Sequence, residues 1–214
     1  MAIQPGSQVN GFSIIVWHKG IVTFLTDFAD QAVVLPIVAA VAIFLAVLGW
    51  RRGVLTWLGV IGVTFGVVLV LKLLFLACDP VFGAWDVHSP SGHTAAASVV
   101  AGGLAALLTR RLLVVLSVSA LAAVTIGFSR LELGLHSLPE VLIGAALGIA
   151  GAAVLSRLAG PPPARKPIPL LAVAAVLALL LHGIRLPAEE AIWRVSLGML
   201  DFVPACRAHD QIRP

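Results

Sequence analysis

The feature that most constrains this chain is a succession of apolar runs approaching twenty residues each, beginning with QAVVLPIVAAVAIFLAVLGW at 31–50. A helix needs about twenty such residues to cross the hydrocarbon core of a bilayer. Lipid offers the backbone no hydrogen-bond partner, so a run of this kind crosses as a helix. The chain is 60% apolar and 11% charged over 214 residues, well outside soluble composition. The expected class is all-α: a polytopic membrane bundle of about six transmembrane helices plus interfacial helices. No polar stretch is long enough to fold separately. Residues 1–214 therefore read as one membrane-embedded domain, with an N-terminal interfacial segment (1–30), a transmembrane core (31–184) and a C-terminal tail (185–214).

Spans are expected at 31–50, 54–77, 91–109, 112–129, 138–157 and 168–184. Residues 12–29 are apolar but carry His18, Lys19 and Asp27, which suits a helix lying in the interface better than a clean span, with a short or re-entrant crossing as the alternative. Residues 188–200 (AEEAIWRVSLGML) place Ala188, Ile192, Val195 and Met199 at helical spacing with charges opposite, and read as a second interfacial helix. Two glycine stripes, Gly59-Gly62-Gly66 and Gly144-Gly148-Gly151, predict faces packed closely on other helices. Residues 157–167, with Pro161-Pro162-Pro163, form a stiff linker. The start MAIQPGSQVN lacks a basic n-region and a small-residue cleavage site, so it reads as retained rather than as a signal peptide.

Charge sets the expected orientation. Connections 51–53, 110–111 and 157–167 hold seven of the fourteen Arg and Lys residues, and the positive-inside rule makes them cytoplasmic. Loops 78–90 and 130–136 then share the opposite face. The net charge of +4 sits mostly at span ends, a topology signal and not a nucleic-acid footprint. The two cysteines, Cys78 and Cys206, have no metal-site spacing. Both fall on the outward side, where a disulfide tying the tail to the site loop is permitted.

The polar residues that interrupt this scaffold cluster on that outward face. Lys72, His93, Arg130, His136 and Glu140 each lie near the outer end of a helix. Two cations, two histidines and a carboxylate make an anion site with acid–base capacity. A phosphate ester fits: Arg binds its oxygens bidentately and Lys adds a point charge. The amides of Ser91, Gly92 and His93 begin a helix, where unpaired donors favour an anion. One histidine can attack phosphorus while the other protonates the leaving oxygen. Glu140, four residues after His136, can hold its imidazole in the attacking tautomer. Plainer roles also fit some of these residues. Ser137-Leu138-Pro139-Glu140 reads as a capping box, Lys72 as a snorkelling lysine, Arg130 as a topological anchor, and Asp79 and Asp86 as loop polars.

Lys72…Asp79-Pro80, Pro90-Ser91-Gly92-His93 and Ser129-Arg130-x5-His136-x3-Glu140 together resemble the three-part signature of the type 2 phosphatidic acid phosphatase superfamily. That family writes it Lys-x6-Arg-Pro, Pro-Ser-Gly-His and Ser-Arg-x5-His-x3-Asp. The second part matches fully, the third except for Glu in place of Asp, and the first has Asp79 where the family has arginine. The resemblance implies a six-helix membrane core and a metal-independent phosphatase without cofactors. In it His136 is the nucleophile that becomes phosphohistidine and His93 is the general acid. Glu140 orients His136, while Lys72, Ser91, Gly92 and Arg130 hold the phosphate. Ser129, Asp79 and His88 are candidates for headgroup or supporting contacts. Asp79 removes one expected clamp and adds repulsion.

The expected partner is a membrane lipid phosphate or pyrophosphate, of the phosphatidate, phosphatidylglycerol phosphate or polyprenyl pyrophosphate type. Nucleic acid is not expected. The compact chain suggests a bacterial inner membrane, with the site on the periplasmic face. Alternatives are a phosphotransferase using the same histidine pair, an anion or lipid transporter, and a non-catalytic descendant of the enzyme. Two facing histidines argue against a pure carrier, which needs cations but no nucleophile–acid pair.

Overall fold

The computed structural model describes residues 19–78, 87–160 and 169–199, all of whose regular structure is helical. A helical lead-in over 19–27 runs into α1 (Gln31–Val47). It is followed by α2 (Arg51–Ala77), α3 (Gly92–Leu108), α4 (Leu112–Glu132), α5 (Leu138–Leu158), α6 (Pro169–Leu181) and α7 (Ala188–Met199). Four segments have the length and hydropathy of a full crossing: Lys19–Val47, Arg51–Leu76, Leu112–Glu132 and Leu138–Leu158. Helices α3 and α6 are apolar but shorter, at 17 and 13 residues. The expected helical membrane bundle is therefore present; among the described residues four helices have full crossing length, where six spans were expected.

Local chemistry sets the helix ends. The Asp30 side chain accepts from the Ala32 amide at 2.8 Å and opens α1. Ser91 does the same for α3 through the Thr94 amide. Helix α4 closes on Gly134, whose φ of +64° lets the Leu135 amide fold back to the Arg130 carbonyl at 3.0 Å. That turn redirects the chain and delivers His136 to the start of α5.

Helix α3 is the hub, packing most extensively on α5 and α4, while α1 packs on α6 and α2 on α7. Small residues let backbones approach. A Cβ at Gly144 would collide with the Ser91 carbonyl, one at Gly148 would meet the Ala95 carbonyl at 2.6 Å, and one at Gly102 would meet Ala152 at 2.6 Å. Between membrane helices such contact replaces the hydrophobic drive that water supplies elsewhere. Gly144→Ala is expected to force α5 off α3 and cost about 1–3 kcal/mol, read as a lower Tm in detergent. Large apolar side chains such as Ile43, Leu55, Val63, Leu121 and Val124 remain outside, exposed, as a lipid-facing surface requires.

Two expectations need correction. The Gly59-Gly62-Gly66 stripe does not pack on another helix, since an added Cβ at each would meet nothing within 4 Å. Gly59 lines an open groove between α2 and α5 instead. The described part of 12–29 is not a separate interfacial helix either. Asp27 and Asp30 are each 6% exposed, because Arg185 pairs with Asp27 and backbone amides satisfy Asp30. Acids partnered this way enter the bundle, and the segment continues α1.

The Arg52 guanidinium donates to the Leu158 carbonyl at 2.8 Å, so the start of α2 and the end of α5 share one end of the bundle. His136 and Glu140 lie at the other end. Cys78 is disulfide-bonded. Cys206, together with His18, Asp79, Asp86, residues 161–168 and residues 200–214, lies outside the described residues.

Candidate active site

Glu140 is the organising group at this end of the bundle. One carboxylate oxygen accepts from the His88 and Ser89 amides at 2.8 and 2.5 Å. The other meets His136 Nδ1 at 2.7 Å and accepts from the Ser137 amide at 3.1 Å. Its backbone carbonyl accepts from the Ser91 amide at 3.0 Å. The capping-box and histidine-orienting readings of Glu140 therefore hold together. With the carboxylate ionised, Nδ1 carries the proton and Nε2 presents its lone pair.

The His136 side chain is 6% exposed. Burial pulls its pKa below the ordinary histidine value. The bond to Glu140 pulls the other way without prevailing, and the charges of Lys72 and Arg130 deepen the drop. A buried, neutral imidazole with a free nitrogen is a competent nucleophile.

Lys72 and Arg130 are nearly fully buried, at 2% and 7% exposure. The Lys72 ammonium touches both oxygens of Glu189 at 2.7 Å and Ser89 Oγ at 3.1 Å. Gly92 makes room for it, because a Cβ there would lie 3.3 Å from Lys72 Cε. Arg130 occupies the last turn of α4, where the helix dipole suits a cation. Among the described residues its buried Nε has no hydrogen-bond partner, and an unsatisfied buried donor of this kind suits an anion. His93, in the first turn of α3, faces Asp30, with Nε2 3.8 Å from Oδ2.

Two chambers open around these groups. One, of about 500 Å³, is lined by His136, Glu140, Ser89, Arg130, Glu189 and Trp193 among others. The other, of about 360 Å³, is lined by His93, Asp30, Asp27, Arg130, Arg185 and Glu189 among others. Arg130 and Glu189 border both.

The five residues singled out as chemical thus converge, while their supporting cast differs from expectation. The Ser91 amide is committed to Glu140, so of the three amides proposed for anion binding only those of Gly92 and His93 stand at the open helix start. Ser129 turns away, bonded to Thr26 Oγ1 at 3.1 Å and to the Ile126 carbonyl. His88 supports Glu140 through its backbone and borders the larger chamber. His182 is structural, bonded to the Phe24 carbonyl at 2.9 Å between two phenyl rings.

Asp30 and Glu189 were missed as site residues. Asp30 carries a readable N-cap signal. Glu189 has none, because nothing in local spacing ties it to a lysine 117 positions away. Its carboxylate is held below the usual range: partial burial pushes the pKa up, but the charge and hydrogen bonds of Lys72 outweigh that, with help from both histidines.

An uncharacterized 22.5 kDa protein in the cps region of Klebsiella pneumoniae is 31% identical over 141 residues, covering 61% of this chain and 65% of that protein. This chain thus spans just under two thirds of that relative's length. No solved structure matches the chain. The family model described as PAP2 superfamily matches residues 75–161, the stretch that holds His93, Arg130, His136 and Glu140. The site-bearing segment of this chain is therefore similar to the PAP2 superfamily.

Proposed function

We propose that this chain is an integral-membrane, metal-independent phosphatase acting on a phosphomonoester or pyrophosphate of a lipid. The observation that carries the reading is the buried His136–Glu140 pair beside Arg130, whose Nε lacks a partner among the described residues. In the reaction His136 Nε2 attacks phosphorus and the bond to the leaving oxygen breaks. His93 gives that oxygen its proton, leaving a phosphohistidine. A water then attacks phosphorus, His93 takes the water's proton, and the P–N bond breaks to release phosphate and neutral His136. Lys72, Arg130 and the Gly92 and His93 amides hold the phosphate oxygens. The positive-inside pattern supports a site on the non-cytoplasmic face of the membrane.

The chamber beside His93 supports a second reading. Its 360 Å³ accommodates a hydroxyl-bearing acceptor that replaces water, which would make the protein a phosphotransferase. One assay separates the two. Purified protein in detergent with EDTA is offered undecaprenyl pyrophosphate, phosphatidic acid and phosphatidylglycerol phosphate. Release of inorganic phosphate from at least one is expected. Release only after a lipid or sugar alcohol is added would favour transfer. No phosphate leaving any substrate under either condition, from folded protein, would refute both.

A further inference from the structure

The phosphatase reading leaves Glu189 unexplained, and it sits where a ligand should be. Both its oxygens engage Lys72, as two oxygens of a phosphate would. It borders the His136 chamber and the His93 chamber alike. A phosphorus atom attacked by one histidine and relieved of its leaving group by the other has to lie at that boundary. Yet the fit is incomplete. A carboxylate is planar with two oxygens, and Lys72 uses both, so Arg130 Nε stays unpartnered among the described residues. A tetrahedral phosphate brings the further oxygens this donor lacks.

We infer that Glu189 is a built-in occupant of the anion site, and that α7 is a cap which a phosphate-bearing ligand must lift.

This rests on reading the site as a phosphate site and adds how access to it is controlled. The attachment of α7 agrees with a movable element. The helix lies outside the family-matched segment and follows a connection that contains Gly183, with φ of +83°. That connection is pinned by Arg185 on Asp27 and by the Leu186 amide on Asp30. On α7 itself the Glu189 side chain is half exposed, and Glu190 and Arg194 pair with each other in the open. Val195 on it is more than half exposed, while Trp193, one turn after Glu189, borders the His136 chamber. Lifting the cap frees Lys72 for phosphate and removes a negative charge that would otherwise repel it.

The test uses inorganic phosphate as the probe on the full chain in detergent, with binding followed by calorimetry. Glu189→Gln keeps the shape and removes the charge. Phosphate should bind this variant at least about tenfold more tightly than wild type. In unaltered protein, amide hydrogen exchange across 188–196 should quicken when phosphate is added. Equal or weaker binding by Glu189→Gln would overturn the proposal and make Glu189 a positioning residue for Lys72. Exchange that slows or stays unchanged at saturating phosphate would also overturn it. Failure of both proteins to bind phosphate would remove this inference and the phosphate site together. Phosphate binding that responds as expected, without phosphate release from any lipid, would keep the cap and sink only the hydrolysis reading.

Discussion

His136→Ala should lower kcat by about ten-thousandfold or more while changing phosphate affinity only a few-fold. Removing a nucleophile deletes the covalent route, and what survives comes from binding and electrostatics alone. Lys72 and Arg130, which hold the anion in this reading, are untouched. Labelled substrate quenched in alkali should leave phosphate on wild-type protein and none on the variant. The pH profile follows from burial. His136 has its pKa pulled below the ordinary value, so the neutral, attacking form persists as pH falls. The acid limb of kcat/KM should therefore lie below the ordinary histidine pKa of about 6.5. Stability carries the same sign. Below about 6.5 the unfolded chain takes up a proton that folded His136 resists, so Tm should decline from there until the folded pKa is passed. An acid limb at or above the ordinary value would contradict a desolvated nucleophile.

Glu140→Gln should cut kcat by about 10²- to 10⁴-fold and cost about 1–3 kcal/mol of stability. The amide is nearly the same size, and its oxygen can still accept from some of the backbone donors. Its nitrogen cannot accept from Nδ1–H. The imidazole would flip its tautomer, place the proton on Nε2 and lose its attacking lone pair. Glu140→Ala should do more damage to Tm, since the His88, Ser89 and Ser137 amides would all lose their acceptor. Thermal melts and steady-state rates on both variants separate the two losses. A glutamine variant with wild-type kcat would show that the carboxylate serves only the fold.

The residues that converge here were readable because each stands against its surroundings. A histidine or arginine in an apolar run has little reason to be there apart from chemistry, and His93, Arg130 and His136 stood out on that ground. The all-helical bundle followed as directly, because run length leaves few options in lipid. The two glycine stripes looked alike and diverged. Spacing says that one face is small, and only the arrangement of helices says whether a neighbour arrives, as it does at Gly144 and not at Gly62. The acids were the hardest to place. Asp27 reads as a surface residue by itself, and only its pairing with Arg185, 158 positions away, explains its burial. Glu189 looked like the polar side of an amphipathic tail, because a contact across 117 positions leaves no periodic trace.

The close seating of α5 on α3 has a consequence for how such a protein can diversify. Where the Gly144 and Gly148 faces meet backbone carbonyls, the distance between the two histidine-bearing motifs is already at backbone contact, and a side chain added at either glycine could only lengthen it. That half of the molecule is a fixed chassis. The lead-in at 19–27, the connection after α6 and α7 reach the same chambers from outside it, and they can be exchanged without disturbing that spacing. Grafting the first thirty and last thirty residues of a relative onto this central segment should therefore move preference among ligands while the reaction type stays the same.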